Sequence, residues 1–331
     1  MEKLRCDWET RKVLSRRRRE DKALPKIKIY PLGGRDARPL AREDLPLIFL
    51  TRNDRRFVRS FMAHYRRLGV TRFLCVDDAS DDGTREALLA EPDVNVFGSN
   101  VRYRDARRGR IWRELLFAIY GADRWYLNVD SDEYLVYADC DRRPLPELIS
   151  ALEQMGVERC PAPMIDAYPA GAIAEAVFDG QDETMPWQVA SMIDGAGYRL
   201  TKQKRALSIE GGMRERVFGA GLELMKYPLL HWKRGYSLGV SIHQPLPYRL
   251  NFSPIFAALL HFKFFSDAAS AAREAVADQQ YFNDSQAYSA IADKIEGSAD
   301  VSFVASESFR YEEPEDLVSR GFMRSPWGQS A

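Results

Sequence analysis

The chain has 331 residues, enough for one large domain or two ordinary ones, and its 45% hydrophobic and 29% charged residues can support a sizeable core. Its 48 basic and 48 acidic residues cancel, so general nucleic-acid affinity is not indicated. Four widely spaced cysteines, Cys6, Cys75, Cys140 and Cys160, form no Cys-x-x-Cys pair, which argues against a disulfide scaffold or a zinc site and for reduced thiols in a cytoplasmic protein. No run of about 18 apolar residues occurs, and the charged start does not read as a signal peptide.

In chain order, residues 1–44 read as a basic N-terminal extension. Arg16 to Arg19 is an unbroken arginine run amid mixed charge. A solvated helix face or mobile arm is the plainer reading, and a peripheral contact with anionic lipid or polyphosphate is the functional one. Gly33 to Leu40 (GGRDARPL) resembles the glycine-rich loop of sugar nucleotidyltransferases, but it lacks a second glycine pair and follows no convincing buried strand. Leu45 to Leu50 (LPLIFL) is the first core strand, ending at Thr51, Arg52 and Asn53. The next helix places Phe57, Val58, Phe61, Met62, Tyr65 and Leu68 on one face, with His64 structural and Gly69 as its stop. A strand over Val70–Asp78, a helix from Arg85, a weaker strand near Val94–Phe97 and a basic loop from Arg102 to Arg110 follow. Ile111–Tyr120 and Pro146–Met155 read as amphipathic helices, and Pro163–Tyr168 as a strand placing Asp166 near its end. Alanine-rich helices are expected over Asp267–Val276 and Ser285–Ile295, with Tyr281 and Phe282 packing them onto the sheet, and a loosely held tail after Pro314.

Two strand ends carry the chemistry. Trp125 to Val129 is an apolar run that stops in Asp130, Asp132 and Glu133. Carboxylates this close repel unless a cation sits among them, and hard divalent ions take oxygen ligands that they share with substrate phosphates. Phe73 to Val76 likewise stops in Asp77 and Asp78, followed by Ser80 and Asp82 as helix-cap candidates and Gly83 as the turn. Strand, acidic turn and helix, repeated, describe a parallel α/β sheet whose ligands bind at the carboxyl ends of the strands.

Thr51, then Val76 to Thr84 (VDDASDDGT), then Val129 to Glu133 (VDSDE) together resemble the nucleotide-binding half of the family 2 glycosyltransferases, in the bacterial branch with an Asp-x-Asp-Glu-aromatic motif. The resemblance covers residues 45–170, and Gly211–Arg216 and Leu260–Phe265 are similar to later blocks of that branch. It implies a GT-A-type α/β fold with a mostly parallel, Rossmann-like sheet flanked by helices and a helical C-terminal region. A glycosyltransferase domain would span 45–265, with a nucleotide-binding half at 45–170 and an acceptor half at 171–265, followed by C-terminal helices and tail at 266–331. It implies a nucleotide-sugar donor (a UDP-sugar first), a saccharide or lipid-linked acceptor, and Mn²⁺ or Mg²⁺. Thr51 and Arg52 would then lie beside the nucleotide, and Asp78 would accept a hydrogen bond from the base. Asp130 would approach ribose or metal, and Asp132 would be the principal metal ligand through the donor diphosphate. Glu133 would support the metal ligands from behind or face the acceptor, or else it merely caps the turn.

The glycine that usually follows the Asp pair in this family is Ala79 here, and no clear copy of the family's carboxylate base is visible. Asp166 and Glu215 are the candidates. For the diphosphate, Arg108 precedes a helix on the same sheet edge, and Arg214 and Arg216 sit beyond Gly211-Gly212, where a flexible loop could close over the donor. Among the late histidines, His261 is a candidate third metal ligand, set against a buried core histidine. Two further readings use the same sheet: a metal-dependent sugar nucleotidyltransferase, and a catalytically silent nucleotide-binding scaffold.

Overall fold

The computed structural model describes residues 2–23, 26–34, 37–181, 184–239, 242–280, 286–297 and 300–327. Helix α1 (Glu2–Ala23) leads to a short strand β1 (Ile29–Pro31). A doubly wound unit follows: β2 (Pro46–Thr51), α2 (Arg55–Arg67), β3 (Arg72–Asp77), α3 (Thr84–Ala90), β4 (Val94–Ser99), α4 (Arg110–Tyr120) and β5 (Arg124–Asp130). These strands read as unbroken apolar runs because both of their faces are covered. Leu47, Phe49, Phe73, Cys75, Leu127 and Val129 pack on one side with Phe57, Phe61 and Tyr65 of α2. The residues between them, Ile48, Leu50, Leu74, Val76 and Tyr126, pack on the other with Trp112, Leu116 and Phe117 of α4.

Winding outward from β2 gives the parallel order β4-β3-β2, after which α4 carries the chain back to place β5 on the other side of β2, again parallel. The winding direction therefore reverses between β2 and β5, and a crevice opens at their carboxyl ends, the usual ligand position in such sheets. Those ends are in register, with Leu50 opposite Asp130 and Thr51 opposite Asp77.

The rest of the chain extends the same sheet in mixed orientation through β6 (Glu133–Tyr137), α5 (Leu145–Gln154), β7 (Arg159–Tyr168), α6 (Pro186–Val189), β8 (Met192–Asp194), β9 (Tyr198–Lys202), β10 (Leu207–Gly211), α7 (Gly212–Phe218), β11 (Met225–Trp232) and β12 (Ala257–Phe262). The order continues β5-β11-β7-β12-β6, with β8 beside β7, while β9 and β10 form a separate hairpin. The sheet is Rossmann-like, flanked by helices, and ends in α8 (Ala268–Asp278), α9 (Gln286–Glu296), β13 (Ser308–Arg310) and α10 (Pro314–Ser319), as the α/β expectation had it. Strand β7 starts four residues before the sequence suggests. Pro161 and Pro163 mask it, since proline lacks a ladder donor; Pro161 falls opposite a register shift between Lys226 and Leu229, and Pro163 pairs with Met225.

Both chain ends are better held than composition suggests. Cys6, Thr10 and Val13 of α1 are buried near Leu246 and Tyr248, Arg17 donates to Ser237 at 2.9 Å, and β1 pairs antiparallel with β4. Past Pro314, Leu317, Phe322 and Met323 are buried while Ser319 to Gly321 and Arg324 are exposed, so three side chains anchor this stretch among the described residues. Tyr281 and Phe282 lie outside the described residues. All four cysteines are buried and unpaired with one another. No helix among the described residues is long and apolar enough to cross a membrane.

Candidate active site

At the end of β2, Thr51 is buried and its hydroxyl donates to Asp54 Oδ2 at 2.8 Å. Asp54 stands where a helix N-cap belongs, yet its side chain makes no cap to α2. Instead the same oxygen also accepts from the Arg52 backbone N–H at 3.0 Å and from Ser131 Oγ at 2.6 Å, tying the β2 turn to the β5 turn. Burial, with the Asp132 charge next to it, pushes the Asp54 carboxyl up to about 6 despite these donors.

At the end of β3, Asp78 Oδ1 accepts from Arg102 Nε at 2.8 Å, and Arg52 Nη1 donates to the Asp78 backbone carbonyl at 2.7 Å. Burial raises the Asp78 carboxyl, and Arg102 and Arg52 oppose that rise. Both arginines also reach one carboxylate oxygen of Asp278, the last residue of α8: Arg102 Nη2 at 2.9 Å and Arg52 Nε at 3.1 Å. Ala79 keeps the left-handed conformation that a glycine would adopt freely, at φ 58°.

At the end of β5 the two aspartates part company. Asp130 faces Arg113 of α4 and Lys226 of β11, with Lys226 Nζ 2.8 Å from Oδ2. Lys226 also pairs with Glu133, whose other oxygen accepts the Asp130 backbone N–H at 3.0 Å. Glu133 is fully buried in this role, so it caps the turn and does not face an acceptor. Asp130, expected at the ribose or metal, has a cation on each oxygen; Lys226 and Arg113 overcome burial to hold it low. Asp132 has no such closed shell. Its Oδ2 lies 3.1 Å from His261 Nε2 and 4.0 Å from Lys263 Nζ, and these cations hold it well below the usual carboxylate range against burial. The strand pairing puts His261 there: β12 runs between β6 and β7, with His261 opposite Glu133 on one side and Asp166 on the other. A cavity of about 170 Å³ is lined by Arg52, Asp54, Asp132, Lys263, Asp278 and Tyr288, among others, and joins the turns after β2 and β5 to the end of β12 and to α8; Asp78 is not in its lining.

Several expected residues sit elsewhere. Asp166 is buried, gripped through both oxygens by Arg214 and touching His261 Nδ1 at 2.6 Å, so its carboxylate is not available to an acceptor hydroxyl. Arg214 is thereby turned inward, away from the donor role expected of it. Glu215 pairs with exposed Arg199 at 2.8 Å on the α7 surface, and Arg216 with Asp194 and the Phe303 carbonyl, away from the cavity lining. Gly211-Gly212 is a close-packed turn: a Cβ on Gly212 would stand 2.5 Å from the Tyr198 ring, and one on Gly211 2.0 Å from the Gly197 carbonyl. Arg108 is exposed at φ 54° in the turn before α4, and Arg102 is the member of that loop which reaches Asp78.

Sequence reasoning missed Asp54, Arg102, Arg113 and Lys226. Asp54 reads as an ordinary cap, and Arg102 as one of many loop arginines. Lys226 did leave a signal, a lone cation in an apolar strand, which demands a buried carboxylate partner. Arg113 left the same signal on the buried face of α4 beside Trp112 and Leu116.

Asp132 and His261 are suited to a divalent cation, since adjacent octahedral ligands about 2.1 Å from an ion stand about 3 Å apart. An imidazole beside a carboxylate suits Mn²⁺ better than Mg²⁺. Among the described residues no three His, Cys, Asp or Glu side chains form a site alone, so water and substrate oxygens would complete the shell.

No protein-family model and no curated protein matches the chain. Among solved structures, a 4-diphosphocytidyl-2C-methyl-D-erythritol synthase is similar over 58% of this chain and 76% of its own, at 16% identity and a TM-score of 0.28. A UDP-glucose pyrophosphorylase complexed with UDP-glucose is similar over 82% and 91%, at 7% identity and 0.26. One from Acinetobacter baumanii is similar over 84% and 91%, at 10% and 0.26. Scores this low carry no argument about activity.

Proposed function

We propose that the chain is a divalent-metal-dependent glycosyltransferase of the family 2 type, moving a sugar from a nucleotide-diphosphate donor to a saccharide or lipid-linked acceptor. The observation that carries the reading is the convergence of the β2, β5 and β12 ends on one cavity at the switch point, with Asp132 on its wall and buried His261 3.1 Å behind that carboxylate. Asp132 and His261 would hold the cation, which supplies neutralisation of the charge that develops on the departing nucleoside diphosphate. Lys263, 4.0 Å from Asp132 and 2.9 Å from the Tyr288 hydroxyl, is placed to meet the same phosphate oxygens. Asp78, backed by Arg102 and Arg52, would receive the base at the far end of the edge. Surface glycan assembly is the setting this chemistry suits.

The second reading is a sugar nucleotidyltransferase. Against it, the turn after β2 holds no glycine, and Gly33-Gly34 follows the edge strand β1, three positions from β2 in the sheet. The two readings differ in product. Nucleotide sugars are screened for Mn²⁺-dependent thermal stabilisation, and each hit is then assayed with acceptor for released nucleoside diphosphate. Release of pyrophosphate from a nucleoside triphosphate and a sugar phosphate instead would sink the transferase reading. Stabilisation without turnover, undisturbed by Asp132→Ala, would favour a silent scaffold.

A further inference from the structure

His261 is held from behind by a buried ion pair, and the contacts decide which ring nitrogen carries the proton. Asp166 Oδ1 lies 2.6 Å from Nδ1, and Arg214 Nη2 lies 3.1 Å from the same atom. A carboxylate there needs an N–H to accept from, whereas a guanidinium needs a lone pair. The shorter contact claims the proton, because two lone pairs at 2.6 Å repel, while Arg214 already has Asp166 as its acceptor. Nε2 then keeps its lone pair, 3.1 Å from Asp132 Oδ2. Two lone-pair atoms so placed require a cation: a second proton on the ring, or a metal ion bonded to both. Arg214 grips Asp166 through Nε at 3.0 Å and through Nη2, so the carboxylate cannot turn away from the ring.

We propose that Asp166 and Arg214 are positioning residues that lock the His261 tautomer and ring plane, so that Nε2 and Asp132 form a preformed two-pronged seat for a divalent cation. The inference rests on the transferase reading, since it takes that cation to be the one that meets the donor diphosphate. Carboxylates behind a ligating histidine commonly play this part, and their loss costs about 10–100-fold in metal affinity.

The test reads Mn²⁺ directly by electron paramagnetic resonance, with inorganic pyrophosphate as a base-independent partner, and needs no turnover. Asp166→Asn combined with Arg214→Met removes both buried charges together, so neither is left unpaired. The expected result is an about 10–100-fold weaker Mn²⁺ affinity, an unchanged melting curve, and loss of the ¹⁴N modulation that His261 gives in pulsed spectra. Arg214→Lys, which keeps the charge without the fork, shows a smaller loss in the same direction and serves if the double variant does not fold. His261→Ala abolishes the ¹⁴N signal. Wild type showing Mn²⁺ with ¹⁴N modulation, and both variants matching it, overturns the positioning role while leaving the transferase reading intact. Wild type holding no Mn²⁺ even with pyrophosphate overturns the cation reading and the inference with it.

Discussion

Asp130 and Asp132 are separated by one serine, yet they live in opposite surroundings. Around Asp130 two carboxylates and two cations, Glu133, Arg113 and Lys226 included, close on one another in the interior. Around Asp132 the shell is open: Asp54 adds a second carboxylate, His261 and Lys263 approach from one side, and a cavity opens on the other. The closed network stabilises the turn, and the open one has room for a ligand. The lesson is that an Asp-x-Asp motif need not be two ligands. One aspartate can be the rivet that holds the other in place.

The sharpest way to break this comparison is Lys226→Met, which leaves Asp130 and Glu133 facing each other in the interior. Removing one partner of a buried ion pair costs about 3–5 kcal/mol, so urea and thermal midpoints should fall steeply. A variant as stable as wild type would show that the network is not structural. Asp132→Ala should do the reverse: fold normally and lose about 3–4 kcal/mol of transition-state stabilisation, seen as a drop of 10² to 10³-fold in kcat under saturating donor and Mn²⁺. Retained turnover would remove Asp132 from the chemistry.

The third prediction uses pH. Asp54 has a carboxyl pushed up to about 6 by burial and Asp132. A raised value means that the folded state binds the proton more tightly than the unfolded chain, so this stabilisation is complete below about pH 4 and is lost as pH rises to about 6. Asp54→Asn keeps an acceptor oxygen without the charge. In metal-free protein it should therefore raise stability by about 1–2 kcal/mol at pH 7, with the gain shrinking toward zero at pH 4. A pH-independent difference would place the effect in packing instead. The smallest effect is at Ala79, where glycine removes the left-handed strain. Ala79→Gly should stabilise by about 1 kcal/mol, and a loss of stability would mean that the methyl group packs usefully.

Much of this was legible because it depends on periodicity. Strands buried between α2 and α4 write themselves as apolar runs, the two helices as amphipathic patterns, and an acidic stop at a strand end marks the edge where ligands bind. Asp132 and His261 stood out as polar groups beside such runs. What was not legible came from pairing between distant strands. Nothing local to Lys226 says that β11 lies beside β5, and nothing in Asp54 says that it faces Ser131 rather than its own helix. Asp166 and Arg214 looked like a base and a phosphate ligand because their mutual neutralisation exists only once β7, β12 and α7 meet. The arginine run of α1 misled for a similar reason: Arg17 is turned inward onto Ser237 and Glu114, which removes it from any surface patch.

The carboxylate of Asp278 gives the Asp78 end of the sheet edge an unusual property. Any anion that reaches Arg52 and Arg102 contends with a rival attached to the same chain, one that dilution cannot wash away and whose local concentration is set by the fold. An affinity measured there reports the difference between two occupants, not the strength of either. Neutralising that rival with Asp278→Asn is thus the simplest means of telling an intrinsically weak grip from a strong one already in use.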